Sequence, residues 1–139
     1  MVLFGSKSVP FNPEQDIPSL EGKVILVTGG NIGLGKQCIV EYSRHKPSLI
    51  WLAARNTEKA QAAADEIRQQ VPDASIKPLA MDLSSLSSVA TAARTVAAAS
   101  QRLDILMLNA GIMATPPGAD AGRLRAAVRD QLSRPRTTG

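Results

Sequence analysis

Cysteine and histidine are almost missing from these 139 residues, and each shortage closes a class of function. The single cysteine, Cys38, cannot build a disulfide framework. The single histidine, His45, has no metal-ligating partner at suitable spacing, so both residues read as structural or incidental. Aromatic side chains make up 3% of the chain and none follows Trp51. No apolar run is long enough to span a membrane, and residues 1–11 have too short an apolar core for a signal peptide. The expected location is cytoplasmic. Pro10, Pro13 and Pro18 mark residues 1–22 as an extended lead-in to whatever folds after them.

Negative charge is scarce toward the C-terminus. Of the 16 basic and 12 acidic residues, five arginines (Arg123, Arg125, Arg129, Arg134, Arg136) and two aspartates (Asp120, Asp130) lie in residues 119–139, leaving 11 and 10 for the remainder. The net charge of +4 therefore belongs mostly to this tail. A basic arm of this kind is one way to hold nucleic acid or an acidic membrane, and equally the composition of a solvated extension.

Apolar runs, by contrast, alternate regularly with helical patterns. Residues 24–27, 49–54, 76–81 and 103–108 read as strands of about six residues. Between the second and third, Asn56 or Thr57 can cap a helix carrying Ala60, Ala63, Ala64, Ile67 and Val71 at helical spacing, ended by Pro72. Ser85 can cap another, with Leu86, Val89, Ala93, Val96 and Ala97 on one side. Repeated βαβ units imply an α/β fold: a parallel, doubly wound sheet with right-handed crossovers. The expected strand order is 3-2-1-4, with a ligand crevice at the carboxyl edge. Residues 23–118 are expected to form this partial Rossmann domain.

The motif Thr28-Gly29-Gly30-Asn31-Ile32-Gly33-Leu34-Gly35 joins the first strand to a helix. Gly29 allows a tight exit from the strand, Gly33 lets backbone N–H groups approach a pyrophosphate, and Gly35 lets the helix pack closely on the strand. Twenty positions after Gly35, at the end of the second strand, stands Arg55, where a Rossmann fold reads the adenosine ribose. An acidic residue there would bind the 2′-hydroxyl of NAD. A planar guanidinium suits a 2′-phosphate instead, so the expected cofactor is NADP, with NAD as the alternative.

The spacing Thr-Gly-x-x-x-Gly-x-Gly resembles that of the short-chain dehydrogenase/reductase family. Asp82-Leu83 after the third strand and Asn109-Ala110-Gly111 after the fourth are similar to further signatures of that family. The resemblance implies a cofactor cradle of Gly29, Asn31, Ile32, Gly33 and Gly35. It also implies adenine contacts from Asp82 and Leu83, a sheet brace at Asn109, and Ala110 and Gly111 beside the cofactor ribose. The activity it implies is hydride transfer between NADP(H) and a carbonyl or alcohol. The family's catalytic serine, tyrosine and lysine have no counterpart here, so the chain is expected to be a truncated and inactive form. Tyr42 and Lys46 have the family's Tyr-x-x-x-Lys spacing, but at the end of the helix after the glycine loop, away from the nicotinamide end.

Residues 119–138 and the first bases of Gly139 can be back-translated so that the frame one base later encodes LTQDGYELQFGTNYLAHALL. That peptide resembles the segment after Asn-Ala-Gly in retinol-dehydrogenase-like and WW-domain-oxidoreductase-like members of the family. The tail is accordingly expected to be an out-of-frame translation, disordered or weakly helical, with one short stripe of Leu124, Ala127, Val128 and Leu132. Two alternatives stand beside the oxidoreductase: a non-catalytic nucleotide-binding fragment and a basic-tailed interaction protein. The expected partners are a nicotinamide dinucleotide and, in a complete form, a small carbonyl or alcohol substrate. The substrate would be apolar if the retinol-dehydrogenase likeness extends that far. Nucleic acid is not an expected partner, and self-association through an exposed sheet edge is.

Overall fold

The computed structural model describes residues 9–111. A one-turn helix, α1 (Pro13–Asp16), precedes β1 (Val24–Thr28), α2 (Gly33–Arg44), β2 (Leu49–Ala54), α3 (Thr57–Gln70), β3 (Ile76–Ala80), α4 (Leu86–Ala99) and β4 (Ile105–Met107). The four strands form one parallel sheet, as the alternation of runs implies, in the expected order β3-β2-β1-β4. β1 pairs with β2 from Val24↔Leu49 to Thr28↔Ala53, and with β4 from Ile25↔Ile105 to Val27↔Met107.

All five β1 residues are buried, because both faces of the sheet are covered. On one face Ile25, Val27, Ile50, Leu52 and Ile76 pack against Ile39 and Val40 of α2 and Ala60, Ala64 and Ile67 of α3. On the other, Leu26, Trp51, Ala53 and Leu79 meet Ala92 and Val96 of α4. Asn56 caps α3 by accepting from the Lys59 N–H at 2.9 Å, and Ser85 caps α4 by accepting from Ser88 N–H at 3.3 Å. These caps stop the backbone donors of each first turn from going unpaired at a helix that starts on the sheet's carboxyl edge.

Three expectations are corrected. The lead-in is not wholly extended: Asn12 accepts from Glu14 N–H while its own N–H donates to the Asp16 carboxylate, which closes the single turn of α1. The α4 stripe is displaced by about one position. Ala92 and Val96 are buried with Val89 against them, whereas Leu86 is 76% exposed and Ala93 and Ala97 are exposed. An alanine-rich helix offers too little contrast between its sides for periodicity to fix its rotation. The fourth apolar run, residues 103–108, supplies only three paired residues, Ile105–Met107. The tail expected from residue 119, with its stripe at Leu124, Ala127, Val128 and Leu132, lies outside the described residues.

Candidate functional site

α2 starts differently from the other two long helices. Its N-cap, Ile32, has no side chain to accept a hydrogen bond, so the first-turn N–H groups face outward without a side-chain cap. A helix N-terminus left in this way is a ready site for an anion. Gly33 sits at φ +54°, and a Cβ built there would meet nothing within 4 Å, so the loop in front of the helix borders open space. Ile32 and Leu34 are 70% and 80% exposed on either side of it. Asn31 is half-buried.

Gly29 and Gly35 answer to the opposite constraint. At φ +65° Gly29 reverses the chain while its N–H still donates to Ala53 O at 2.8 Å. A Cβ on Gly35 would fall 2.5 Å from the Gly29 carbonyl oxygen and 2.5 Å from Asn109 Nδ2, so only glycine lets α2 approach the end of β1 this closely. Gly30 is likewise crowded, with Ile39 Cδ1 at 2.5 Å from such a Cβ.

Asn109 and Ala110 close this knot from β4. Asn109 Nδ2 donates to the carbonyls of Thr28 and Gly29 at 3.2 and 3.3 Å, and Ala110 N–H donates to Thr28 Oγ1 at 3.0 Å. Thr28 is buried, and its hydroxyl in turn donates toward Met107 O at 3.5 Å. Sequence pattern assigns Thr28 no role beyond opening the glycine motif; its buried hydroxyl is what ties β1 to the chain leaving β4. A β-branched residue ending an apolar strand gives no sign of that by itself. Gly111 borders open space.

Arg55 and Asp82 stand at the ends of the adjacent strands β2 and β3, both past the last paired residues. Arg55 is exposed, and Leu83 beside Asp82 is 45% exposed. The Asp82 carboxyl is held below the usual carboxylate range, first by the Ser84 hydroxyl and backbone N–H bound to it and, less strongly, by the charge of Arg55. The structure thus gathers Gly29, Gly33, Gly35, Asn109 and Ala110 around one turn and places Arg55, Asp82 and Leu83 along the same carboxyl edge of the sheet.

Tyr42 and Lys46 do not join them. Tyr42 lies in the last turns of α2, its hydroxyl directed to Met107 Sδ at 3.5 Å, and burial pushes the phenol above its usual range, with Cys38 adding to the effect. Lys46 adopts φ +57° just past the helix end. His45 Nε2 lies 2.9 Å from Pro13 O and its carbonyl accepts from Leu20 N–H, so it fastens the lead-in. Among the described residues no group of three or more His, Cys, Asp or Glu side chains is placed to hold a metal ion. No helix among them is long and apolar enough to cross a membrane.

Comparison with known proteins agrees with this geometry. The sequence profile of the short chain dehydrogenase family matches residues 23–129. The chain is 45% identical over 100 residues to the short-chain dehydrogenase/reductase drtF of Aspergillus calidoustus, covering 72% of this chain and 32% of that protein. It is 39% identical over 98 residues to retinol dehydrogenase 13 of Homo sapiens, covering 70% of this chain and 29% of that one. A metagenomic short-chain oxidoreductase solved in complex with NADP superposes with a TM-score of 0.61 at 34% identity, over 68% of this chain and 41% of that one. The chain therefore spans about a third of the length of the curated relatives it matches. With the glycine turn, the strand order and the Asn-Ala-Gly knot all in place, this chain belongs to the short chain dehydrogenase/reductase family, on its retinol-dehydrogenase-like side.

Proposed function

We propose that this chain forms the dinucleotide-binding part of an NADP(H)-dependent oxidoreductase. The observation that carries the reading is the uncapped N-terminus of α2 behind a glycine loop that borders open space. Gly29, Asn31, Ile32, Gly33 and Gly35 would form the cradle of the pyrophosphate, with the free backbone donors of the loop and first turn facing it and Gly29, whose N–H is bound to Ala53 O, shaping the turn, and Asn109, Ala110 and Gly111 would line the ribose. Arg55 would take the 2′-phosphate through a charge-assisted bond, while Asp82 and Leu83 would meet the adenine. Such a dinucleotide, when bound, supplies the hydride acceptor or donor for a carbonyl or alcohol.

The similarity to proteins named for retinol and to an NADP complex supports the cofactor and an apolar alcohol or carbonyl as substrate. Turnover needs an acid/base group at the nicotinamide end, and Tyr42 is turned instead toward Met107. What the described residues build is a nucleotide-binding module, and we infer that residues 119–139 are an out-of-frame translation. Calorimetric titration with NADPH and NADH tests this, with NADPH expected to bind more tightly. Failure to bind either nucleotide would overturn the reading. Sequencing the transcript across the Pro117 codon checks the frame, and an uninterrupted frame without the shifted coding string would reject the out-of-frame tail.

A further inference from the structure

Among the described residues the sheet has two outer strands, β3 and β4. In an outer strand successive residues send their N–H and C=O alternately toward the sheet and away from it. At β3 two bonds fix which residues face inward: Ile50 N–H donates to Ser75 O at 2.8 Å, and Met81 N–H donates to Ala54 O at 3.0 Å. With the register Ile50↔Ile76 to Ala54↔Ala80, residues 77 and 79 face β2 as well, so Ile76, Pro78 and Ala80 present their backbone outward. At β4 the Met107 carbonyl is turned toward β1, where Thr28 Oγ1 lies 3.5 Å from it. Leu106, one residue earlier, therefore faces outward.

The two edges are finished differently. Pro78 stands at the centre of the outward set of β3 and has no N–H to offer. Because that position faces away from β2, the proline removes no bond from the ladder. The outward carbonyl of Ile76 is already occupied, since Arg68 Nη2, in the last turn of α3, donates to it at 2.6 Å. Asp65 holds the same guanidinium by accepting from Nη1 at 2.9 Å, and Gln61 donates to that Asp65 oxygen at 2.9 Å. Gln61, Asp65 and Arg68 share one side of α3, so a single helix face carries the relay to the strand edge. Gln61 and Asp65 also line the groove between α3 and Pro78. Leu106 is 53% exposed and Leu108 75%, and no strand lies beyond them among the described residues.

We propose that Arg68 and Pro78 seal the β3 edge against strand addition, so that this chain pairs with a second copy of itself through β4 alone and assembly stops at the dimer. A sheet open at both edges grows without limit, because each added copy presents a fresh edge. With one edge sealed, two copies joined through β4 about a twofold axis leave only sealed edges outside, and Leu106 and Leu108 are the apolar side chains that such a pair covers. The seal operates whether or not a nucleotide is bound.

The test follows the full chain by size-exclusion chromatography with light scattering over a concentration series, with amide exchange as the local reporter. The wild type is expected to reach a dimer and stop. Leu106→Pro copies the β3 device onto β4 by removing an outward N–H, and is expected to be monomeric. Arg68→Ala combined with Pro78→Val frees an acceptor and supplies a donor at β3. In the otherwise wild-type chain this pair of changes is expected to carry assembly past the dimer. In the Leu106→Pro chain it is expected to strengthen association by about tenfold or more, the size of two backbone hydrogen bonds. Protection of amides 76, 78 and 80 that rises with concentration distinguishes strand addition from association through unfolding. An Arg68→Ala, Pro78→Val chain that halts at the same size as the wild type, or that grows without protecting those amides, overturns the seal, as does a folded wild type that itself grows past the dimer. A wild type that stays monomeric at every concentration overturns the pairing through β4, and the Arg68→Ala, Pro78→Val chain then decides the seal by itself.

Discussion

At the residue scale, four positions separate folding from binding. Thr28 is 3% exposed, and its Oγ1 is the acceptor for Ala110 N–H. Thr28→Val keeps the shape and strands that N–H, so a loss of about 1–3 kcal/mol in urea-unfolding stability is expected. Gly35 and Gly33 should behave oppositely. Gly35→Ala drives a methyl to 2.5 Å from the Gly29 carbonyl and should cost about 1–3 kcal/mol of stability through overpacking. Gly33→Ala meets no neighbour, loses only about 1–2 kcal/mol to φ +54°, and should lose cofactor affinity beyond its effect on melting. Arg55→Asp should weaken NADPH by roughly tenfold or more, about 1.5–3 kcal/mol, and reverse or erase its preference over NADH. Equal NADPH and NADH binding by the wild type would show that Arg55 does not select.

At the element scale, β4 depends on a clasp at its entry. Asp104 accepts from Val24 N–H at 2.9 Å, its own N–H donates to Val24 O, and Arg102 grips the carboxylate. The bond to Arg102 first, then the Val24 N–H, holds the Asp104 carboxyl below the usual range. A carboxyl whose pKa is lower folded than unfolded contributes stability above its unfolded pKa, about 3.9, and loses it as pH falls through the folded value. Asp104→Asn should therefore be less stable than wild type at pH 7 and show a flatter decline of urea midpoint below about pH 4. Parallel curves for the two proteins would mean that Asp104 carries no linkage.

At the scale of the whole molecule, the sheet is unevenly covered. Ile105 and Met107 turn toward the face packed by α2 and α3, whereas Leu106 and Leu108 on the opposite side are 53% and 75% exposed. Among the described residues nothing pairs with the outer edge of β4. An apolar edge of this kind recruits a further strand or a second chain. Concentration-dependent self-association is expected in size-exclusion chromatography with light scattering, with rapid amide exchange over residues 103–110. A sharply melting monomer with Leu106 and Leu108 strongly protected would reject it.

The sequence by itself determined the alternation of strands and helices, the cap at Ser85 and a cap at Asn56 or Thr57, the glycine turn and the residues at each strand's carboxyl end. Those features are local: periodicity, hydrogen-bonding side chains at helix starts and glycine's freedom at positive φ all act within a few residues. Even the order 3-2-1-4 was legible, because the glycine motif after the first strand points to the dinucleotide-binding form of the doubly wound sheet. Tertiary structure decided the rest. The rotation of α4 onto Ala92 rather than Ala93 depended on the sheet it met, since alanines on every side carried no preference. Thr28 acquired its role only when a chain about eighty residues later arrived with an unpaired N–H. A partner distant in the chain leaves no periodic trace, and it is such partners that set which groups at this edge are tied down and which remain free for a ligand.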